Sequence, residues 1–258
     1  MDQPNYFSFS PSSVVNKLSL TIPLLIISSS LFSQNLIDSQ GAVYRSDTTV
    51  KTIYLCFTGH DYIDGFEYVL GILDKHDITG SFFFTGDFIR ENKNLVIDIS
   101  RKGHFVGPHS DGHLLYCDWT NRDSLLYTEE QIKEDILLNR QALNELAIYP
   151  HVFMPPYEWY NTKVVEIASQ LNLITVSFTP GTRSNADYTS PGMANYISSN
   201  DILKSINQYK SLHNLNGFHL LIHPGTSPER TDKFYYKLDE LITGLLAEGY
   251  QFSTFSSY

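Results

Sequence analysis

Apolar residues run together or alternate in seven short stretches, and all but the last are followed by segments in which they recur at the helical period of 3.6. The strand-like stretches are residues 50–58, 78–85, 105–107, 152–154, 173–178, 218–222 and 251–255. Behind the first, Asp64 with Glu67 three positions later opens a helix carrying Phe66, Val69, Leu70 and Leu73 on one face. Leu95, Ile97 and Ile99 precede Lys102-Gly103, a basic residue and a glycine that stop a second helix. Thr128 and Gln131 form a capping box for a helix with Ile132, Ile136, Leu137, Leu143 and Leu146 in register. Asn161 caps the helix of Val164, Val165, Ile167, Ala168 and Leu171. After a polar loop over 179–200 come a helix around Ile202, Leu203 and Ile206, and an amphipathic one over 232–246 stopped by Gly249.

Strands that alternate with helical segments imply a parallel sheet covered by helices. Long loops at the strand C-terminal ends point to barrel-like closure, and such folds place their chemistry on that rim. His60, Asp61, His109, His113, Tyr157 and His223 all fall just after predicted strands, so the topology gathers them on one edge.

Composition adds few constraints. The 258 residues, 42% of them hydrophobic, suffice for one large core. A net charge of −10 without any Lys/Arg cluster excludes a phosphate-tracking surface, so nucleic acid is not an expected partner. Residues 18–32, LSLTIPLLIISSSLF behind Lys17, are too short and serine-rich for a membrane span and read as a signal peptide. That reading makes residues 1–33 a leader, starts the mature domain (34–258) near Gln34, and places the protein in a periplasm or outside the cell. Cys56 lies within an apolar strand pattern and Cys117 in a loop, and no disulfide is expected between them.

Candidate chemistry centres on His109-Ser110-Asp111-Gly112-His113, where two imidazoles four positions apart lie on one side of a turn, able to grip one metal ion. With Leu221-Ile222-His223 and Pro155-Pro156-Tyr157 behind it, the order of motifs over residues 51–255 resembles the polysaccharide deacetylase family, the NodB-homology group also known as carbohydrate esterase family 4. The resemblance implies a distorted (β/α) barrel of seven strands and hydrolysis of acetyl groups, N-acetyl before O-acetyl, on a polysaccharide or oligosaccharide. It also implies one divalent metal ion, usually Zn²⁺, held by an Asp and two His. His109 and His113 match the family's H-[S/T]-x-x-H ligands. His223 matches the general acid that protonates the leaving amine. Tyr157 matches the residue whose backbone N–H donates to the oxyanion, although Met154 stands where the family has Arg. A carboxylate from the loop after the fifth strand tunes that acid, and Asp187 occupies the corresponding loop.

The first motif departs. The family's T-F-D-D-G supplies a catalytic base and a metal ligand, whereas this chain reads Cys56-Phe57-Thr58-Gly59-His60 and then Asp61. Thr58 and Gly59 can do neither job, so Asp61 becomes the expected third metal ligand with His60 as base, or the two exchange roles. Trp119, Glu158, Trp159 and Arg183 flank the motifs and are the expected sugar contacts. The alternative reading is a catalytically impaired carbohydrate-binding protein on the same barrel.

Overall fold

A computed structural model describes Met1 and residues 35–258; the expected leader, apart from Met1, lies outside the described residues. Nine strands are described: β1 (Leu36–Ile37), β2 (Val43–Arg45), β3 (Thr52–Gly59), β4 (Ser81–Phe84), β5 (Phe105–Pro108), β6 (Val152–Phe153), β7 (Ile174–Thr175), β8 (Phe218–Ile222) and β9 (Gln251–Ser253). Between them lie the helices α1 (Phe66–Lys75), α2 (Gly86–Glu91), α3 (Lys93–Arg101), α4 (Glu129–Asn144), α5 (Thr162–Gln170), α6 (Ser199–His213) and α7 (Leu238–Ala247).

β3 is the central strand. It pairs in parallel with β4 and β8, and its first residues also pair with β9, while β4 continues to β5. β6 and β7 form a separate parallel pair. Single contacts complete the circuit: Met154 N–H donates to the Pro108 carbonyl at 3.2 Å, and Ser177 N–H donates to the Val43 carbonyl at 2.9 Å. β2 then pairs antiparallel with β8 through Arg45 and Phe218. The result is a distorted α/β barrel, as expected, but closed by an N-terminal strand that three-residue periodicity is too short to announce.

Alternation along β3 divides the interior, because successive side chains face opposite ways. Ile53, Leu55 and Phe57 pack outward against α1 and its neighbours. Cys56 faces inward, meeting Val43, Phe83, Phe105, Val152, Met154, Val176, Leu221 and Phe255, so nearly every strand contributes to one central layer. The aromatic ring of Phe255 fills its centre, 5.3 Å from Tyr54, 5.8 Å from Phe83 and 4.9 Å from His219. Cys56 and Cys117 are free and buried.

The Thr128–Gln131 capping box forms with both of its hydrogen bonds, and Asn161 caps α5 through Val164 N–H. The Asp64–Glu67 box does not form. Gly65 holds the cap position of α1 without a side-chain bond, and Asp64 instead accepts from Thr226 N–H at 3.2 Å and from the Tyr235 hydroxyl at 3.1 Å. Asp64 thus ties the β3–α1 loop to the loop after β8, a long-range contact that outcompetes the local one. The last helix begins at Leu238, after a 3₁₀ turn over Phe234–Lys237.

Candidate active site

The C-terminal ends of β3, β5, β6 and β8 open into a cleft of about 1140 Å³ lined by Thr58, His60, Asp61, His109, His113, Trp119, Tyr157, Glu158, Trp159 and His223 among others. Every expected site residue except Arg183 and Asp187 therefore lines this cleft. The Arg183 guanidinium turns away and donates to the Asn195 carbonyl at 2.9 Å, so it serves the fold of its own loop.

His109 is the most constrained member. Its backbone N–H donates to Asn139 Oδ1 at 2.8 Å, and its Nδ1 lies 2.8 Å from the Met154 carbonyl. A carbonyl only accepts, so the proton sits on Nδ1 and Nε2 keeps its lone pair toward the cleft. Burial, opposed by the Met154 bond, pushes the His109 pKa down to about 3, and burial with the neighbouring imidazoles pushes His113 down to about 2. Both rings are neutral in the fold. The segment carrying them is irregular rather than a helical turn, with Ser110 and His113 at φ of 68° and 51°. Asp135 holds that shape by accepting from the N–H groups of Asp111 (3.2 Å) and Gly112 (2.9 Å).

His60 rather than Asp61 joins this pair. The His60 ring stacks on His113 at 4.3 Å, and its buried Nδ1 has no hydrogen-bond partner. The Asp61 carboxylate is 64% exposed and pairs with His60 Nε2 at 3.2 Å. A divalent ion held by Asp and two His therefore does not fit the residues present. Thr58 offers no carboxylate, and a Cβ on Gly59 would meet the ring of Phe84 at 2.7 Å and of Phe66 at 3.0 Å. Among the described residues no three His, Cys, Asp or Glu side chains are grouped so as to hold an ion.

Across the cleft, His223 and Asp187 form a second unit. Asp187 Oδ2 accepts from His223 N–H at 2.8 Å, and Oδ1 lies 2.6 Å from Nδ1. Burial works against the imidazolium, but Asp187 and then Glu158 outweigh it and raise the His223 pKa above its ordinary value. Glu158 itself is buried at the cleft floor, its Oε1 3.8 Å from His109 Nε2, with its pKa pushed up to about 7 by burial. That depth differs from the sugar contact expected of it.

The aromatic rim consists of Trp119, 56% exposed, with Trp159 at 5.4 Å and Tyr157 at 5.8 Å. Trp159 is fixed by its indole N–H on the Asp118 carbonyl (3.2 Å) and by Arg122 stacked 4.3 Å above it. Trp119 has no such tie and leaves a ring face open to the cleft. Trp119→Ala is expected to raise KM roughly 5- to 10-fold, about 1 kcal/mol of lost stacking, with kcat little changed. Steady-state kinetics on an oligosaccharide check this, and an unchanged KM would remove Trp119 from the binding surface.

Sequence reasoning passed over Asn139 and Asp135, which shape the His109–His113 segment. The signal was present: positions 132, 135, 136, 139 and 143 share one buried face of α4, and two of the five are polar.

A sequence model of polysaccharide deacetylases matches residues 45–176. The chain belongs to the polysaccharide deacetylase family. Among individual proteins it is similar to the uncharacterised YlxY of Bacillus subtilis, 29% identical over 197 residues covering 76% of this chain and 52% of that one. It is also similar to the peptidoglycan-N-acetylmuramic acid deacetylase PdaA of the same organism, 31% identical over 145 residues covering 55% of this chain and 52% of that one. The chain thus spans about half the length of both relatives. The crystal structure of PdaA superposes with a TM-score of 0.63 at 26% identity, covering 83% of this chain and 82% of that one. BA3943 of Bacillus anthracis, described as a pseudoenzyme of the same esterase family, gives 0.66 at 22% identity, covering 85% and 69%.

Proposed function

We propose that the protein is a glycan deacetylase that hydrolyses N-acetyl groups, and less readily O-acetyl groups, on an amino-sugar polymer of the peptidoglycan class. The observation that carries this reading is the His223–Asp187 unit, which presents a raised-pKa imidazole to a long cleft with an aromatic rim. Deacetylation breaks an amide C–N bond, and the departing amine needs a proton at that moment. His223 supplies it from Nε2 while Asp187 holds Nδ1 and steadies the imidazolium. The Tyr157 backbone N–H, by likeness to the family, donates to the tetrahedral oxyanion. PdaA and several other relatives are named peptidoglycan deacetylases, which favours that substrate class.

The second reading is a glycan-binding protein without turnover. It is favoured by Thr58 and Gly59 at the place of the family's two aspartates, by the Gly59 position being closed to any side chain, and by likeness to BA3943. We also propose export, on the strength of the apolar run at 18–32.

Acetate release from a panel of N- and O-acetylated glycans, by protein loaded with Zn²⁺, Co²⁺ or Ni²⁺ and by chelated protein, separates the readings. Release from an N-acetylated polymer is the expected result, and the metal arms show whether His109 and His113 recruit an ion. Tight binding without release in any arm would overturn the hydrolase and leave the binding protein.

A further inference from the structure

We infer that Glu158 is the catalytic carboxylate of this protein, taking over from the third-motif loop the role of proton acceptor for the attacking water that Thr58 cannot perform. The inference rests on the hydrolase reading above and specifies its missing group.

Three observations place it. Thr58 and Glu158 line the same cleft, and Cys56, two positions before Thr58 on the inward face of β3, feels the charge of Glu158. The carboxylate therefore opens into the same cleft as the strand end where the acidic pair is lacking. Its Oε1 is 3.8 Å from His109 Nε2, and its charge acts on His223, which lines the same cleft. At 3.8 Å no direct hydrogen bond joins carboxylate and imidazole, so neither is committed to the other.

The backbone that delivers it is strained. Tyr157 and Glu158 are consecutive non-glycine residues at φ of 59° and 49°, a conformation that costs on the order of 1 kcal/mol or more per residue and persists where surrounding structure imposes it. Pro155 and Pro156 before them, and the Glu158 N–H on the Pro155 carbonyl at 3.1 Å, lock the turn. An exposed sugar contact has no need of this turn, whereas a side chain directed to the cleft floor does.

Water gives one proton to the Glu158 carboxylate as its oxygen bonds the acetyl carbon. The C–N bond then breaks and the amine nitrogen takes a proton from His223. Acetic acid and the free amine leave, acetic acid giving its proton to solvent or to the amine, and the proton held by Glu158 returns to His223 through solvent.

The test compares the unaltered protein with Glu158→Gln and with Thr58→Asp/Glu158→Gln, measuring kcat, KM and binding of an oligosaccharide. Expected are a fall in kcat of about 10²-fold in the single variant with KM and binding retained, and recovery of at least about tenfold when the near-isosteric Thr58→Asp restores a carboxylate to β3. Activity of Glu158→Gln within about threefold of the unaltered protein would overturn the inference while leaving the hydrolase intact. So would a loss of activity matched by lost binding and not recovered by Thr58→Asp. No release by the unaltered protein would overturn both.

Discussion

Asp187→Asn is expected to lower kcat by about 10³-fold and to move the alkaline limb of the pH–rate profile to lower pH. Asparagine keeps the volume and its Oδ1 still accepts from His223 N–H, so the loop stays in place. The other contact changes sign: an amide NH₂ facing Nδ1 makes that nitrogen an acceptor and drives the neutral tautomer's proton to Nε2. The imidazolium loses its largest stabilising partner at 2.6 Å while the burial that disfavours it remains. The general acid is then deprotonated at neutral pH, so the active fraction shrinks and shifts to more acid conditions. A pH–rate profile on both proteins decides it. If the profile stays in place and kcat changes by less than about tenfold, His223 is not the proton donor.

Stability is expected to fall steeply as pH drops from 6.5 toward 4.5. Three imidazoles are held neutral by burial, with pKa values lowered to about 3 for His109, about 2 for His113 and about 4 for His219. In the unfolded chain each would take a proton near pH 6.5. Groups with depressed pKa contribute stability above the unfolded value and lose it as pH falls toward the folded one. Glu158 opposes them, because its raised pKa of about 7 gives the fold a proton that the unfolded chain lacks above 4.5. Three protons favouring unfolding, with His104 acting in the same direction because burial lowers its pKa too, against one favouring the fold leave at least about two, or roughly 2–3 kcal/mol per pH unit. Total stabilities are about 5–15 kcal/mol, so this term alone brings the fold to its limit in mild acid. Above neutrality the slope reverses, since His223 has a raised pKa and its contribution is lost as pH climbs through it. Urea midpoints at pH 7 and pH 5 test the sign, and equal midpoints would mean that the buried histidines titrate as freely in the fold as outside it.

The seven-strand pattern was legible along the chain because each strand is either buried on both sides or followed by an amphipathic helix, and both leave periodic signatures. The same holds for the rim: residues that follow a parallel strand must emerge at its C-terminal end, which brings His109, Tyr157 and His223 together. Local hydrogen bonding was legible where no distant partner competes, as at Thr128–Gln131 and Asn161. It failed at Asp64, whose carboxylate is taken by Thr226 and Tyr235 from the far end of the chain. Only the tertiary structure decided the roles around the first motif. Whether His60 or Asp61 turns inward depends on a loop with no period, and the outcome is His60 stacked on His113 with Asp61 in solvent. The depth of Glu158 was equally hidden, since two left-handed residues in succession reverse the direction that an extended reading of Pro-Tyr-Glu would give it. Periodicity in sequence reports which side of an element faces apolar surroundings. The direction of a side chain in an irregular loop is set by contacts that many residues of separation conceal.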